Sequence, residues 1–263
     1  MPFDHRHTKV IATLGPATQS PEMLEKLIAE GVDVMRLNMA HGDHAWVRQV
    51  CKDIREAAVK VKREVAILMD VKGPEIRTGV VERPIDLKEG DVVDFVTQAQ
   101  ISQTVGTGHY VIPVNYPSFS KDVEVGQVVL VDSGLIKMQV LSKQSDKVSC
   151  KVLVGAPMGS RRHINLPGAE VDLPAVTQKD KNDVAVAVEC GVDWIAQSFV
   201  RKPDDIKELR TYISSLKANI PVMAKLEDQS AIRNLDASVE EADDIMVARG
   251  ALGVEIPIEE LPI

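Results

Sequence analysis

Strand and helix patterns alternate through both ends of this chain, and a long stretch without helical period lies between them. Residues 9–14 read as a strand that stops at Gly15 and Pro16. Ser20, Pro21 and Glu22 then supply an N-cap, a proline at the first helical position and an acidic first turn. That helix runs to about residue 30 and ends at Gly31. A strand over 32–37, a helix over about 43–62 and a buried strand over 65–69 follow. From about 80 to 163 the residues are rich in Val, Thr and Gly, with turn signals at 88–91, 124–126 and 132–134. This reads as a small all-β module of roughly 90 residues. The alternation resumes after 172–175, with helices over 177–190, 202–216 and 229–235 and strands over 192–197, 220–226 and 244–248. Repeated β-α units with short loops require a parallel sheet. Without the insert, roughly 170 residues and six strands remain, against about 250 residues for a closed eight-stranded barrel. The pattern suits an α/β fold, an incomplete (β/α)8 TIM barrel with an inserted β barrel. An open doubly wound sheet fits the strand count equally well, and periodicity does not separate the two.

Charge and composition narrow the function. A formal net charge of −8 opposes generic binding to nucleic acid or anionic membrane, and 3% aromatic residues leave few stacking platforms for single strands. Cys51, Cys150 and Cys190 are odd in number and widely spaced, which argues against a zinc site or a disulfide framework and for a reducing compartment. The opening residues form no hydrophobic signal region, and no apolar run reaches the roughly 18 residues of a membrane span. A cytoplasmic location is expected.

The predicted strand ends collect charge. The second offers Arg36, Asn38 and His41; the third Asp70, Lys72, Glu75 and Arg77; the fourth Ser198 and Arg201; the fifth Lys225, Glu227 and Asp228; the sixth Arg249, Gly250 and Gly253. In a parallel sheet these groups meet on one rim, where α/β folds place their chemistry. Arginines and a lysine around carboxylates suit phosphoryl transfer, which needs charge neutralisation and oxygen ligands for a divalent ion. Plainer roles exist for each: helix caps for Asp70 and Glu227, solvated charges for Arg36 and Arg77, backbone partners for Thr13 and Ser198, a turn for Asp132.

Six segments carry a closer signal: TKVIATLGPA from Thr8, MRLNMAHG from Met35, MDVKGPEIRTG from Met69, NLPGAEVDLP from Asn165, AKLE from Ala224 and IMVARGALGVE from Ile245. In order and spacing they resemble the motifs of the pyruvate kinase family, and the resemblance spans essentially the whole chain. It implies a (β/α)8 barrel with a lid domain inserted after the third strand. The implied division is 1–74 for the first barrel part, 75–172 for the lid and 173–263 for the second barrel part. Strands seven and eight and a carboxyl-terminal domain are expected to be absent from this chain. The implied reaction transfers phosphate from phosphoenolpyruvate to ADP, giving pyruvate and ATP in glycolysis. It uses Mg2+ or Mn2+, with K+ in many members, and the family is usually homotetrameric.

By motif, the resemblance makes Lys225 and Arg36 catalytic, with both contacting substrate alongside Ala248, Gly250 and Ala251. It assigns nucleotide contacts to Arg36, Asn38, His41, Arg77 and Arg162, a divalent-metal ligand to Glu227, and monovalent-cation ligands to Asn38 and Asp70. The chain departs from the pattern at four positions. Ala251 stands where the family has a second metal-binding aspartate, Ala40 where it has serine, Val71 where it has threonine, and Arg162 where it has lysine. The first weakens the expected divalent site, and the next two oppose K+ dependence. A second reading follows: a truncated or catalytically impaired relative that binds phosphometabolites or a partner subunit.

Overall fold

The computed structural model describes residues 6–97 and 102–262. Strand β1 (Ile11–Thr13), helix α1 (Pro21–Ala29), β2 (Val34–Asn38), α2 (His44–Val61) and β3 (Ala66–Val71) open the chain. Ser20 caps α1 by accepting the Met23 N–H, and Asp43 caps α2 by accepting the Trp46 N–H. The third strand runs two residues past the expected end, so that Asp70 and Val71 lie within it rather than beyond it.

A β-rich segment follows: β4 (Ile85–Asp86), β5 (Val92–Val96), β6 (Gln103–Gly106), β7 (His109–Pro113), α3 (Phe119–Asp122), β8 (Val128–Val131), β9 (Ile136–Lys143), β10 (Lys147–Val154), β11 (Pro157–Met158) and β12 (Ile164–Asn165). The single helical turn α3 departs from the all-β expectation. Phe119 on it is buried against Phe95 with ring centroids 5.4 Å apart, so core packing stabilises a turn too short to be stable alone.

The alternation then returns as α4 (Gln178–Cys190), β13 (Trp194–Gln197), α5 (Pro203–Ser215), β14 (Val222–Leu226), α6 (Gln229–Arg233), α7 (Leu235–Glu241), β15 (Asp244–Val247) and α8 (Arg249–Glu255). Thr177 and Asp180 form a reciprocal capping box at the start of α4, and Gly191 ends it in the left-handed region at φ +62°. Where one short helix was expected over 229–235, two helices form on either side of Asn234.

Packing divides the chain into two compact units. One comprises Met1–Pro74, Ala175–Leu226 and Asn234–Val247; the other comprises Glu75–Pro174, Glu227–Arg233 and Ala248–Ile263. In the first unit six strands pair in the order β1-β2-β3-β13-β14-β15, every pair parallel. Each strand lies beside its neighbour in β-α sequence, with no reversal of order. A doubly wound sheet needs such a reversal at its switch point, so the order resolves the earlier ambiguity in favour of an incomplete barrel. One strand face packs under the helices through Met35, Leu37, Ile67, Met69, Ile195 and Ala224. The opposite face buries Leu68, Ala196 and Met223, with Val34, Trp194 and Met246 partly buried beside them. In the second unit, seven strands pair as β12-β8-β9-β10-β5-β7-β6 around a separate aliphatic core that includes Val93, Ile112, Val129, Met138 and Val152.

Candidate functional site

Strand alternation places the charged side chains of the first unit. Val34, Leu68, Ala196 and Met223 share the inner face of the sheet. Two residues further along each strand path stand Arg36, Asp70, Ser198 and Lys225, which therefore continue that face towards the carboxyl ends. The four side chains form one cluster. Asp70 is 1% exposed, and its Oδ2 accepts from both Nε and Nη2 of Arg36, the former at 2.8 Å. Its Oδ1 accepts from Lys225 Nζ at 3.1 Å and from the Ser198 hydroxyl at 3.2 Å. Lys225 Nζ also donates to Ser198 Oγ at 2.7 Å, and Arg36 Nη1 donates to Thr13 Oγ1 at 2.7 Å.

Two cations share one carboxylate, so the cluster carries one net positive charge. Lys225 is buried, whereas the Arg36 side chain keeps 24% of its surface in solvent. Asp70 is the ion-pair partner of the buried Lys225. The arrangement presents a held positive charge to an incoming anion and requires little side-chain reorganisation.

The loop after β3 is fixed by backbone. Gly73 adopts φ +69°, and a Cβ there would lie 3.0 Å from both Cβ and the carbonyl oxygen of Ser198. A side chain at Gly73 would therefore press on the residue that bridges Lys225 and Asp70. The Gly73 N–H donates to Asp180 Oδ1 at 3.0 Å, tying the loop to the α4 capping box.

Other candidates are placed less directly. Asn38 Oδ1 accepts the Ala40 N–H at 3.0 Å and so shapes the turn after β2, while Ala40 and His41 are exposed. Thr13 and Ser198, expected to serve backbone groups, instead belong to the charged cluster, although Ser198 Oγ also donates to the Val71 carbonyl at 2.7 Å. Their position at strand ends was the available signal; their hydroxyls gave no indication of which charges they would meet.

In the second unit, Arg77 is not a freely solvated charge. Its Nε and Nη2 contact Glu75 at 2.9 and 2.8 Å, and its Nη1 donates to the Arg161 carbonyl at 2.7 Å. Arg162 pairs with Asp132 at 3.3 Å, so Asp132 is an ion-pair partner as well as a turn residue, at φ +55°. Glu227 is buried, with 7% of its surface exposed. Ala248, Gly250 and Ala251 lie at the start of α8, and Ala251 offers no side-chain oxygen. Among the described residues, no group of three or more His, Cys, Asp or Glu side chains is placed to hold a metal ion.

Sequence reasoning missed Glu255. It ends α8 and is buried, and its Oε1 accepts from Asn165 Nδ2 at 2.8 Å. Burial and the charge of Asp228 push its pKa up to about 7, against the lowering effect of the Asn165 hydrogen bond. A glutamate closing a motif gives no sequence sign that it will be buried without a cation.

Comparison with known proteins adds a family. The family model described as pyruvate kinase, barrel domain, matches residues 5–263. Plastidial pyruvate kinase 3 of Arabidopsis thaliana is 41% identical over 259 residues, covering 98% of this chain and 44% of the relative. A pyruvate kinase of Geobacillus stearothermophilus is 42% identical over 262 residues, again covering 98% of this chain and 44% of the relative. Isozyme G of Nicotiana tabacum, a chloroplastic pyruvate kinase, is 42% identical over 259 residues, covering 98% of this chain and 45% of the relative. The chain thus spans less than half the length of the curated relatives it matches. No helix among the described residues is long and apolar enough to cross a membrane.

Proposed function

This chain belongs to the pyruvate kinase family, and on that premise we propose that its rim cluster serves phosphoryl transfer from phosphoenolpyruvate to ADP. The observation that carries the reading is the buried Lys225 held beside Arg36 on one shared carboxylate, Asp70. In the proposed reaction the bond between the phosphorus and the enol oxygen breaks, and a bond to a terminal ADP phosphate oxygen forms. Lys225 and Arg36 face the equatorial phosphoryl oxygens, where negative charge persists throughout the transfer. Asp70 holds both cations in position. Losing one such preorganised donor costs about 10²–10³-fold in turnover. The enolate left behind takes up a proton to give pyruvate.

The proposal assigns residues 1–74 and 173–263 to the barrel and 75–172 to a lid. It gives the nucleotide phosphates to Arg77 and Arg162, the loop of Asn38 and His41 to the nucleotide, and the substrate carboxylate to the backbone around Ala248, Gly250 and Ala251. Arg77 would exchange its Glu75 pair for a phosphate. A homotetramer and a cytoplasmic location complete the reading, supported respectively by family resemblance and by three free cysteines.

The ions fit less well. Glu227 is one carboxylate where the family pattern has two, and among the described residues no group of three or more His, Cys, Asp or Glu side chains is placed to hold the divalent ion. For a monovalent cation, both Asp70 oxygens are already engaged, Asn38 Oδ1 is bonded to its own turn, and Ala40 and Val71 add no side-chain oxygen. No step is therefore routed through either ion. Ala251 favours the second reading, an impaired relative that binds phosphometabolites or a partner subunit without efficient turnover.

Pyruvate formation from phosphoenolpyruvate, ADP and Mg2+ separates the two readings. On the enzyme reading, the unaltered chain turns over and Lys225→Met loses about 10²-fold or more. On the impaired reading, the unaltered chain is inactive and Ala251→Asp gains activity. Inactivity of both proteins, with no phosphoenolpyruvate bound by either, would overturn both readings.

A further inference from the structure

We infer that Lys179 and Asp183 on helix α4 are positioning residues for the loop that follows strand β2: they fix the backbone at Met39 and, through it, the turn of Asn38 and His41. The Met39 N–H, one residue past the end of β2, donates to the Asp70 carbonyl at 2.9 Å. The Met39 carbonyl turns to α4 and accepts from Lys179 Nζ at 2.9 Å. Both backbone polar groups of one buried residue are thus held, the first by β3 and the second by α4.

Asp183 holds the lysine in place. It is fully buried, its Oδ2 accepts from Lys179 Nζ at 2.6 Å, and His44 Nε2 lies 2.8 Å from its Oδ1. His44 is the first residue of α2, so the loop between β2 and α2 is tied to α4 at its first residue and just beyond its last. Between these two ties the chain wraps on Asn38, whose Oδ1 accepts the Ala40 N–H and whose carbonyl accepts the Gly42 N–H, both at 3.0 Å. The turn carries its own local bonds, and its two ends are set from outside.

The energetics of α4 alone do not account for Lys179. It stands in the first turn, at the positive end of the helix dipole, and it precedes its i+4 aspartate, the weaker orientation for such a pair. Its side chain also stays 47% exposed. The contact that distinguishes it is tertiary, to a carbonyl 140 residues earlier in the chain. The adjacent Asp180 accepts the Gly73 N–H at 3.0 Å, so one end of α4 sets the loops after both β2 and β3. A consequence for ADP rests on the nucleotide role proposed above for Asn38 and His41, whereas the fastening of the loop does not.

The test is Lys179→Met in the full chain, followed by amide hydrogen exchange over 39–43 and by calorimetric titration with ADP and with phosphoenolpyruvate. Exchange over 39–43 should quicken by about tenfold or more while β3 keeps its protection. Binding of ADP should weaken by up to about 10²-fold, with phosphoenolpyruvate unchanged. Lys179→Arg, which keeps the charge and the donors, should restore both. Arg48→Ala, which breaks the exposed Glu189 pair between the same two helices, should change neither. Asp183→Asn keeps the shape and loses the charge that holds the lysine. It should loosen the loop in the same direction to a smaller extent, and it decides alone if Lys179→Met does not fold. Unchanged exchange over 39–43, or quickening spread equally over β3, overturns the positioning. A loosened loop with ADP binding unchanged overturns its nucleotide consequence. If the unaltered chain binds no ADP, the proposed function is what fails, and the exchange result still decides the loop.

Discussion

Two buried carboxyl groups in this chain meet opposite circumstances. Asp70 in the first unit has an arginine on one oxygen and a lysine and a serine on the other. Glu255 in the second unit has an asparagine and a nearby aspartate. Burial raises the cost of charge at both sites, but only Asp70 has cations to offset it. The first arrangement stores a fixed charge for binding an anion. The second stores a group that changes charge near neutral pH.

Asp70→Ala should have the largest effect. It removes the carboxylate that Lys225 and Arg36 share, and breaking a buried pair in this way costs about 3–5 kcal/mol in comparable cases. Denaturant unfolding of the variant should show it. A loss below about 1 kcal/mol would mean that water already compensates the cations and that the contrast with Glu255 is false. Asp70→Asn should fall between the two, because it keeps the acceptor and loses the charge.

Glu255→Gln comes next and carries a pH signature. The folded pKa of about 7 lies above the ordinary value of 4.5, so ionisation costs nothing below pH 4.5. The cost grows as pH rises from 4.5 to about 7 and is complete above that. Stability of the unaltered chain relative to Glu255→Gln should fall across this window by on the order of 3 kcal/mol. Melting temperatures of the two proteins, measured every half pH unit, should diverge as pH rises; parallel curves would remove the distinction between the two carboxyls.

A smaller loss is expected from Thr177→Ala, which removes half of the α4 capping box and weakens the Asp180 that also holds the Gly73 loop. It should cost about 1 kcal/mol. The least is expected from Arg48→Ala. The Arg48–Glu189 pair has side chains 46% and 56% exposed, and solvent screening leaves such pairs little weight in stability. A loss at Arg48 as large as that at Asp70 would show that ion pairing itself, rather than burial, sets the scale.

Much of this architecture was legible beforehand. The caps at Ser20, Asp43 and Thr177 and the stop at Gly191 act through groups within a few residues, so their local signals survive folding. The split of α6 and α7 around Asn234 and the turn α3 were not legible, because packing rather than propensity decides elements that short. At the rim, the motifs brought Arg36, Asp70 and Lys225 to attention separately. Thr13 and Ser198 were placed at the rim as backbone partners, but their charged partners were not legible, because a hydroxyl shows its partner only once strands are in register.

The sequence by itself determined the alternation of strands and helices, the position of the β insert, the charges at the strand ends and the family. These depend on order along the chain and on which faces are apolar. Tertiary structure decided that the strands lie in unbroken sequential order and that Asp70 serves two cations, 34 residues before it and 155 after it. It also decided that Glu255 closes on Asn165 across 90 residues. Electrostatic energy depends on distance through space and on exclusion of water, and neither is fixed until strand register and packing bring the groups together.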